Sequence, residues 1–418
     1  EAEATVADPL ARRILAAQRA SFHADLGRPS AAVRMADTAL SGPLPDEDGA
    51  LASWAKVGGL ALLGRVAELG TAAALGQTAA TVAPNGSVLR NGLSYRYMIG
   101  LKLAGLIHDA EDVARQAWRD MQDTWLPHSG EVHLGQAQLA GGQVAVALKR
   151  LQRAVTVMAP FGEVGGWPFR GRLGITQALA WAGDATAARH ALIDLEANLH
   201  PGMLFLATEV TLARAWVAAA EGSLTEAVQL ARTAAADAHD AGQPAYEVLA
   251  WQTAAQFGDG SGADRLLQLT SIVEGPRVGL AARFACALQA GAADELVTMS
   301  TDFEDIGELI AAIDAAAHAA LAYRKHDQRG SALTCVTRAQ ALAQHCGAST
   351  PALRRAAQPL PLTDREREIV ILLGHGLSSP AIAHRLTLSP RTVEGHIYRA
   401  MAKTGTTNRD ELAALLRR

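Results

Sequence analysis

Three stretches of this chain share one layout. They read LAGGQVAVALKRL around Gly142, WAGDATAARHAL around Gly183 and AAEGSLTEAVQLA around Gly222. In each, an apolar segment ends at a glycine and a second segment, rich in alanine or leucine at helical spacing, begins within a few residues. The spacing between them is roughly 40 residues, within the range of helical-repeat periods. LKLAGLIHDAEDVARQAW around Gly105 and DLGRPSAAVRMADTAL around Gly27 repeat the layout more loosely. Glycine closes one helix in a left-handed conformation, and small alanines let the next helix pack closely against it. Such a hairpin cannot bury its apolar face alone, so copies must stack into a solenoid. The helical pattern runs from about Asp8 to Cys346. The predicted class is therefore all-α, with a helical body over residues 1–345. A non-repetitive helical bundle is the alternative.

Composition agrees. Hydrophobic residues make up 49% of the 418, mostly as alanine, and aromatics only 5%. That balance suits close helix packing better than a β-sandwich. Three cysteines without metal-ligand spacing fit a reducing compartment. No apolar run reaches the length needed to span a bilayer, and the acidic start EAEATVADPL has no signal-peptide core. A cytoplasmic protein without membrane partners is expected. Net charge is −4, but unevenly placed: 11 Lys and Arg against 6 Asp and Glu from Arg354 onward, 27 against 36 before it. An acidic body with a basic tail points to a nucleic-acid-binding end.

Two interruptions break the helical pattern. APNGSVLRNG, residues 83–92, is turn-rich and reads as a long loop. APFGEVGGWPFRGR, residues 159–172, reads as a linker whose aromatics tuck into the core, or as a binding loop on the concave face. CGASTPALRRAAQPLP, residues 346–361, reads as a linker between domains.

Residues 362–418 form a separate unit of four short helices, legible from caps. Thr363 with Glu366 makes a capping box. Ser379 before Pro380, and Ser389 before Pro390, each signal a helix start. Gly405 closes the third helix, and Thr407 or Asn408 caps the last. Two short helices joined by the tight turn 386–388 form a helix-turn-helix. On the third helix Val393, Ile397, Ala400 and Met401 share a core face, with His396 beside it as a structural histidine. Arg391, Gly395, Tyr398 and Ala402 form another stripe, flanked by Glu394 and Arg399.

The opening LTDREREIV, the GLS before the second helix, IAHRL and SPRTVEGH resemble the LuxR-type helix-turn-helix along the whole unit. That resemblance implies double-stranded DNA as partner, with the third helix in the major groove. Arg391, Arg399 and Lys403 are candidates to neutralise phosphates and Thr392 to hydrogen-bond one. Ser389 starts the helix whose terminal amides add donors. Glu394 could accept from a cytosine amino group, and Tyr398 reach a base edge or phosphate. Gly395 suits close approach to another surface. Bland alternatives stand beside these: a solvated face for Arg399 and Lys403, and an internal pair for Glu394. The sequence departs from the family at Ser379-Pro380-Ala381, at Glu394-Gly395 and at Thr404. A homodimer on DNA is expected, with Leu412, Leu415 and Leu416 as its contact or as packing on the unit's first helix.

The body, with its GGWPFR stretch, resembles the C-terminal half of the large ATP-binding LuxR regulators, the group that includes the maltose regulator. In that family an ATPase precedes the repeats, so ATP enters only if such a domain lies upstream. The expected function is a transcription regulator whose repeats sense a small-molecule inducer or protein partner, with RNA polymerase as a further partner. The alternative is an interaction scaffold with weak operator specificity. No Walker A, HExxH, GxSxG or CxxC motif occurs, and FGDGSGADR reads as a turn; no enzyme and no cofactor are expected in this chain.

Overall fold

The computed structural model describes residues 8–122, 127–199, 202–357 and 362–416. Among them all regular structure is helical. Nine hairpins make the body: α1 (Pro9–Asp25) with α2 (Pro29–Ala39), α3 (Asp46–Leu63) with α4 (Val66–Val82), α5 (Gly86–Ala104) with α6 (Ile107–Asp120), α7 (Pro127–Ala140) with α8 (Val144–Met158), α9 (Trp167–Ala182) with α10 (Ala185–Ala197), α11 (Ala207–Ala220) with α12 (Leu224–Asp240), α13 (Pro244–Gln256) with α14 (Ala263–Leu269), α15 (Pro276–Ala290) with α16 (Ala293–Asp305), and α17 (Leu309–Lys325) with α18 (Arg329–Cys346). A short helix follows, α19 (Pro351–Ala357), then α20 (Asp364–Gly374), α21 (Ser379–Leu386), α22 (Pro390–Thr404) and α23 (Arg409–Ala414).

The five glycines read as hairpin turns, Gly27, Gly105, Gly142, Gly183 and Gly222, all have positive φ. The two helices of a hairpin differ in kind. Outer helices are amphipathic: α6 buries Ile107, Ala110, Ala114 and Ala117 along one stripe. Inner helices pack on both sides, and α17 buries residues around its whole circumference from Ile310 to Ala320. Alanine makes this feasible, because it favours the helix and lets neighbouring backbones approach.

Three sequence expectations change. The stretch 83–92 is not a long loop, since α5 begins at Gly86 and only Ala83–Asn85 connect it to α4. Packing against α3 and α4 overrides the local turn signal there. Residues 346–361 are not an extended linker either: α19 occupies 351–357 and buries Ala352, Leu353 and Ala356. Residues 358–361 lie outside the described residues. In 159–172 two short 3₁₀ turns lead into α9; Trp167 and Phe169 are buried, whereas Phe161 is 71% exposed.

The solenoid winds tightly enough for its turns to touch. The α3–α4 turn meets the segment before α15, where the Glu274 amide donates to the Gly64 carbonyl (2.9 Å) and the Glu274 carboxylate accepts from the Ala67 amide (2.7 Å). Arg277 donates to the Lys102 carbonyl (2.8 Å), and the Ser349 amide to the Trp181 carbonyl (2.7 Å). Gly142 abuts Leu309. Each hairpin thus meets the one roughly five places on.

The sixth hairpin, α11–α12, meets α20. Gly222 (φ 87°) sits against Ile371, so a side chain there would collide with the C-terminal unit. Ser223 supplies no cap to α12. The Glu368 carboxylate does so instead, accepting from the Thr225 amide (2.8 Å) and hydroxyl (2.9 Å) while pairing with Arg365 (2.8 Å). Arg385 reaches Glu221 (2.6 Å) and Glu226 (3.1 Å). Replacing Glu368 by Ala takes the acceptor from the Thr225 amide and hydroxyl and leaves Arg365 only the Thr225 hydroxyl (3.0 Å), a loss of about 1–3 kcal/mol. Hydrogen exchange at the Thr225 amide should accelerate by about tenfold or more, with helix content unchanged. An unaltered exchange rate would show that Glu368 does not hold this contact.

Candidate nucleic-acid interface

The C-terminal unit has its own core, made by Ile369, Val370 and Leu372 of α20, Ile382, Ala383 and Leu386 of α21, Val393, Ile397 and Ala400 of α22, and Leu412 of α23. The capping box forms as read: the Glu366 amide donates to Thr363 Oγ1 (3.3 Å) and the Thr363 amide to Glu366 Oε2 (2.8 Å). Asn408 caps α23, and Gly405 closes α22 with φ 71°. The α21 start shifts by one residue. Ser378 is the cap, accepting from the Ala381 amide, and Ser379 is the first helical residue. Its freed hydroxyl donates to Glu394 Oε1 (2.5 Å).

Among the eight predicted contact residues, Arg391, Thr392, Gly395 and Tyr398 lie on the outer face of α22, Ser389 caps the helix, and Glu394, Arg399 and Lys403 are engaged within the unit. Ser389 caps the helix, accepting from the Thr392 amide (3.1 Å), and its hydroxyl lies 2.8 Å from that of Thr392. Arg391 and Thr392 are exposed, and Tyr398 is 72% exposed. A Cβ on Gly395 would meet nothing within 4 Å, so internal packing does not demand glycine there. Glu394 is bridged by Arg409 Nη1 (3.0 Å) as well as Ser379. Arg409 also donates to the Ser379 hydroxyl (2.7 Å), so one triad ties α21, α22 and α23. Lys403 bonds both Glu366 oxygens (2.7 and 3.0 Å). Arg399 lies 3.9 Å from Glu366 and donates to His396 Nδ1 (3.0 Å).

Glu366 therefore serves as cap and counter-ion at once. Burial opposes its ionisation, yet the hydrogen bonds from Lys403 and Thr363 outweigh it and hold the carboxyl below its ordinary range. Burial, then Arg399, lowers His396, which suits a neutral ring accepting from that arginine. Leu412 is core, and Leu416 is partly buried against the same cluster, whereas Leu415 is 39% exposed. Packing on α20 thus accounts for Leu412. Arg409 was missed as a bridging residue because its partner Glu394 is fifteen positions away. Among the described residues no helix is long and apolar enough to cross a membrane, and no group of metal-binding side chains gathers.

Comparison with known proteins identifies the unit. Residues 360–416 match the family of bacterial regulatory proteins, luxR family. The HTH-type transcriptional regulators Mb0914c of Mycobacterium bovis and Rv0890c of Mycobacterium tuberculosis are each 47% identical over 51 residues, 12% of this chain. The matched stretch spans 6% of each of those proteins. The chain is similar in fold to the Rap protein, in its structure complexed with Competence and Sporulation Factor. That likeness has a TM-score of 0.56 at 12% identity, over 80% of this chain and 99% of Rap. Residues 360–416 are thus a LuxR-type helix-turn-helix domain, carried at the end of a tetratricopeptide-like helical body.

Proposed function

We propose that this chain is a sequence-specific DNA-binding transcription regulator whose α22 enters the major groove and whose helical body senses a ligand or protein partner. The observation that carries the first part is the outer face of α22, where Arg391, Thr392, Gly395 and Tyr398 stand together and no body residue bonds them. Arg391, exposed in the first turn of the helix, would meet a phosphate. Tyr398, two turns further along the same stripe and 72% exposed, would reach a base edge. Gly395 between them leaves room for close approach. Glu394 and Lys403 act indirectly in this reading. Glu394 fixes α22 against α21 and α23, and Lys403 fixes it against α20. Arg399 is the second phosphate candidate, since its contact with Glu366 is long. Dimerisation on DNA falls to the exposed Leu415 end of α23, with RNA polymerase a partner of the bound form.

The sensing role rests on the central groove. A cavity of about 80 Å³ opens between the inner helices, lined by Lys102, Gln177, Trp181, Glu209, Gln252 and Arg277. The Trp181 indole N–H is buried there with no acceptor among the described residues. The Trp181 carbonyl holds the Ser349 amide, two residues before α19, which leads to the C-terminal unit. Rap, complexed with its factor, offers the fold precedent for such a role.

The test uses the full chain and a randomised duplex pool across a salt series. An enriched motif with steeply salt-dependent affinity is expected. Arg391→Ala should weaken binding across sequences and lower the slope of log affinity against log salt by about 1. Sequence-blind binding, or none, would favour the scaffold reading instead.

A further inference from the structure

Twelve buried side-chain nitrogen and oxygen atoms lack a hydrogen-bond partner among the described residues, and six of them cluster on α5, α7 and α9. They are Asn91 Oδ1, Arg96 Nε and Nη1, both ring nitrogens of His133, and Arg170 Nε. Folded proteins seldom leave such groups unpaired, so a concentration at one place calls for an explanation. We propose that this cluster is a binding site for a small carboxylate anion, held between the guanidinium edges of Arg96 and Arg170.

The two guanidinium groups are built in as a ligand site requires. Arg96 is 2% exposed and Arg170 6%. Rings cover their faces: Arg96 lies 3.7 Å from the Phe205 centroid and 4.4 Å from that of Trp54. Arg170 lies 4.5 Å from Trp167 and 4.6 Å from Tyr95. Stacking fixes each plane and leaves the in-plane N–H edges as the only route for bonding. Those edges are half used. Arg96 Nη2 donates to Asp25 (2.8 Å) and Arg170 Nη1 to the Gly165 carbonyl (2.6 Å), while Arg96 Nε and Nη1 and Arg170 Nε find no acceptor among the described residues.

Charge selects the ligand. Asp25 is the carboxylate paired with Arg96, and the nearby Lys102 and Glu209 neutralise each other at 2.8 Å. Among the described residues one positive charge is left over in this buried cluster, which is costly unless an anion joins it. Burial, and then Arg170, pushes His133 down to about 3, so the ring stays neutral and can supply one N–H. A carboxylate carries one negative charge and two coplanar oxygens, which match a guanidinium edge. Asp25 is 41% exposed, so the cluster reaches solvent at that end. This site deepens the sensing role proposed for the body. Its test reads binding directly, so its failure is distinct from a failure to bind DNA.

The experiment titrates the full chain with sodium acetate, propionate and inorganic phosphate, with chloride holding ionic strength constant. Tryptophan emission is followed, because Trp54 and Trp167 stack on the two arginines, together with Tm. A saturable emission change and a Tm that climbs with carboxylate concentration are expected. Arg170→Met should abolish both responses, while its Tm in chloride equals or exceeds that of the parent, because an unpaired buried cation has gone. Arg170→Lys keeps the charge without the planar fork and should weaken the response by about tenfold or more. The proposal is overturned by a flat titration with both carboxylates, by a response to phosphate alone, or by a response that survives in Arg170→Met or is unweakened in Arg170→Lys.

Discussion

Replacing Glu308 by Ala should lower the stability of the body by about 3–5 kcal/mol, the range for stripping one partner from a buried ion pair. Arg277 and Glu308 are each about one-twentieth exposed and lie 2.8 Å apart. Gln252 donates to Glu308 Oε2 (2.6 Å) and accepts from Arg277 (3.1 Å). Without the carboxylate, Arg277 keeps only neutral acceptors, Gln252 and the Lys102 carbonyl, which cannot offset the desolvation of a cation. The loss should reach beyond α15 and α17, because the Lys102 bond joins successive turns of the solenoid. The double variant Arg277→Met/Glu308→Leu is expected to recover most of the loss, as apolar replacement of a whole buried pair often does. Thermal unfolding of the three proteins decides it. A double variant as unstable as Glu308→Ala alone would refute the ion-pair account.

Ile397→Ala should cost about 2–5 kcal/mol within the C-terminal unit. Ile397 is 1% exposed and faces the cluster formed by Ile369, Leu372, Ile382 and Leu386. A domain of this size holds only about 3–5 kcal/mol in reserve, so the truncation consumes most of it. DNA binding should fall in proportion to the fraction folded, while the body's thermal transition stays in place. This differs from Arg391→Ala, which should weaken binding with folding intact. Circular dichroism of both variants beside their DNA titrations separates the cases. An Ile397→Ala chain that binds normally would place α22 outside the binding surface.

What the sequence made legible was local. Capping residues located α20, α22 and α23 because a cap depends on side chains within three positions of its helix end. Hairpin turns were legible at Gly27, Gly105, Gly142, Gly183 and Gly222 because αL closure leaves a glycine behind. Two adjacent serines precede one proline, so the α21 cap is ambiguous in sequence; the Ser378–Ala381 bond and the Glu394–Arg409 triad tell the two apart. Gly86 and α19 were missed since tertiary packing, not propensity, makes those residues helical. Lys403 looked like a phosphate ligand from its place on α22, but its partner Glu366 lies 37 positions earlier. No periodicity encodes such a distance. For the same reason the contacts between successive turns, and Glu368 capping α12, became visible only in three dimensions.

The five-place register makes hairpin number a kind of address. If one whole hairpin were excised between α13 and α18, every remaining hairpin could still fold. The helix-turn-helix would then arrive one step early and face the turn at Gly183 instead of Gly222. That turn offers Thr186 where Thr225 stands, so Glu368 could still find a helix start. It offers Ala182 and Ala187 in place of Glu221 and Glu226, however, and Arg385 would lose both carboxylates. In this protein the count of repeats is a dimension of the DNA-binding end, as surely as the length of a shaft sets where its key must turn.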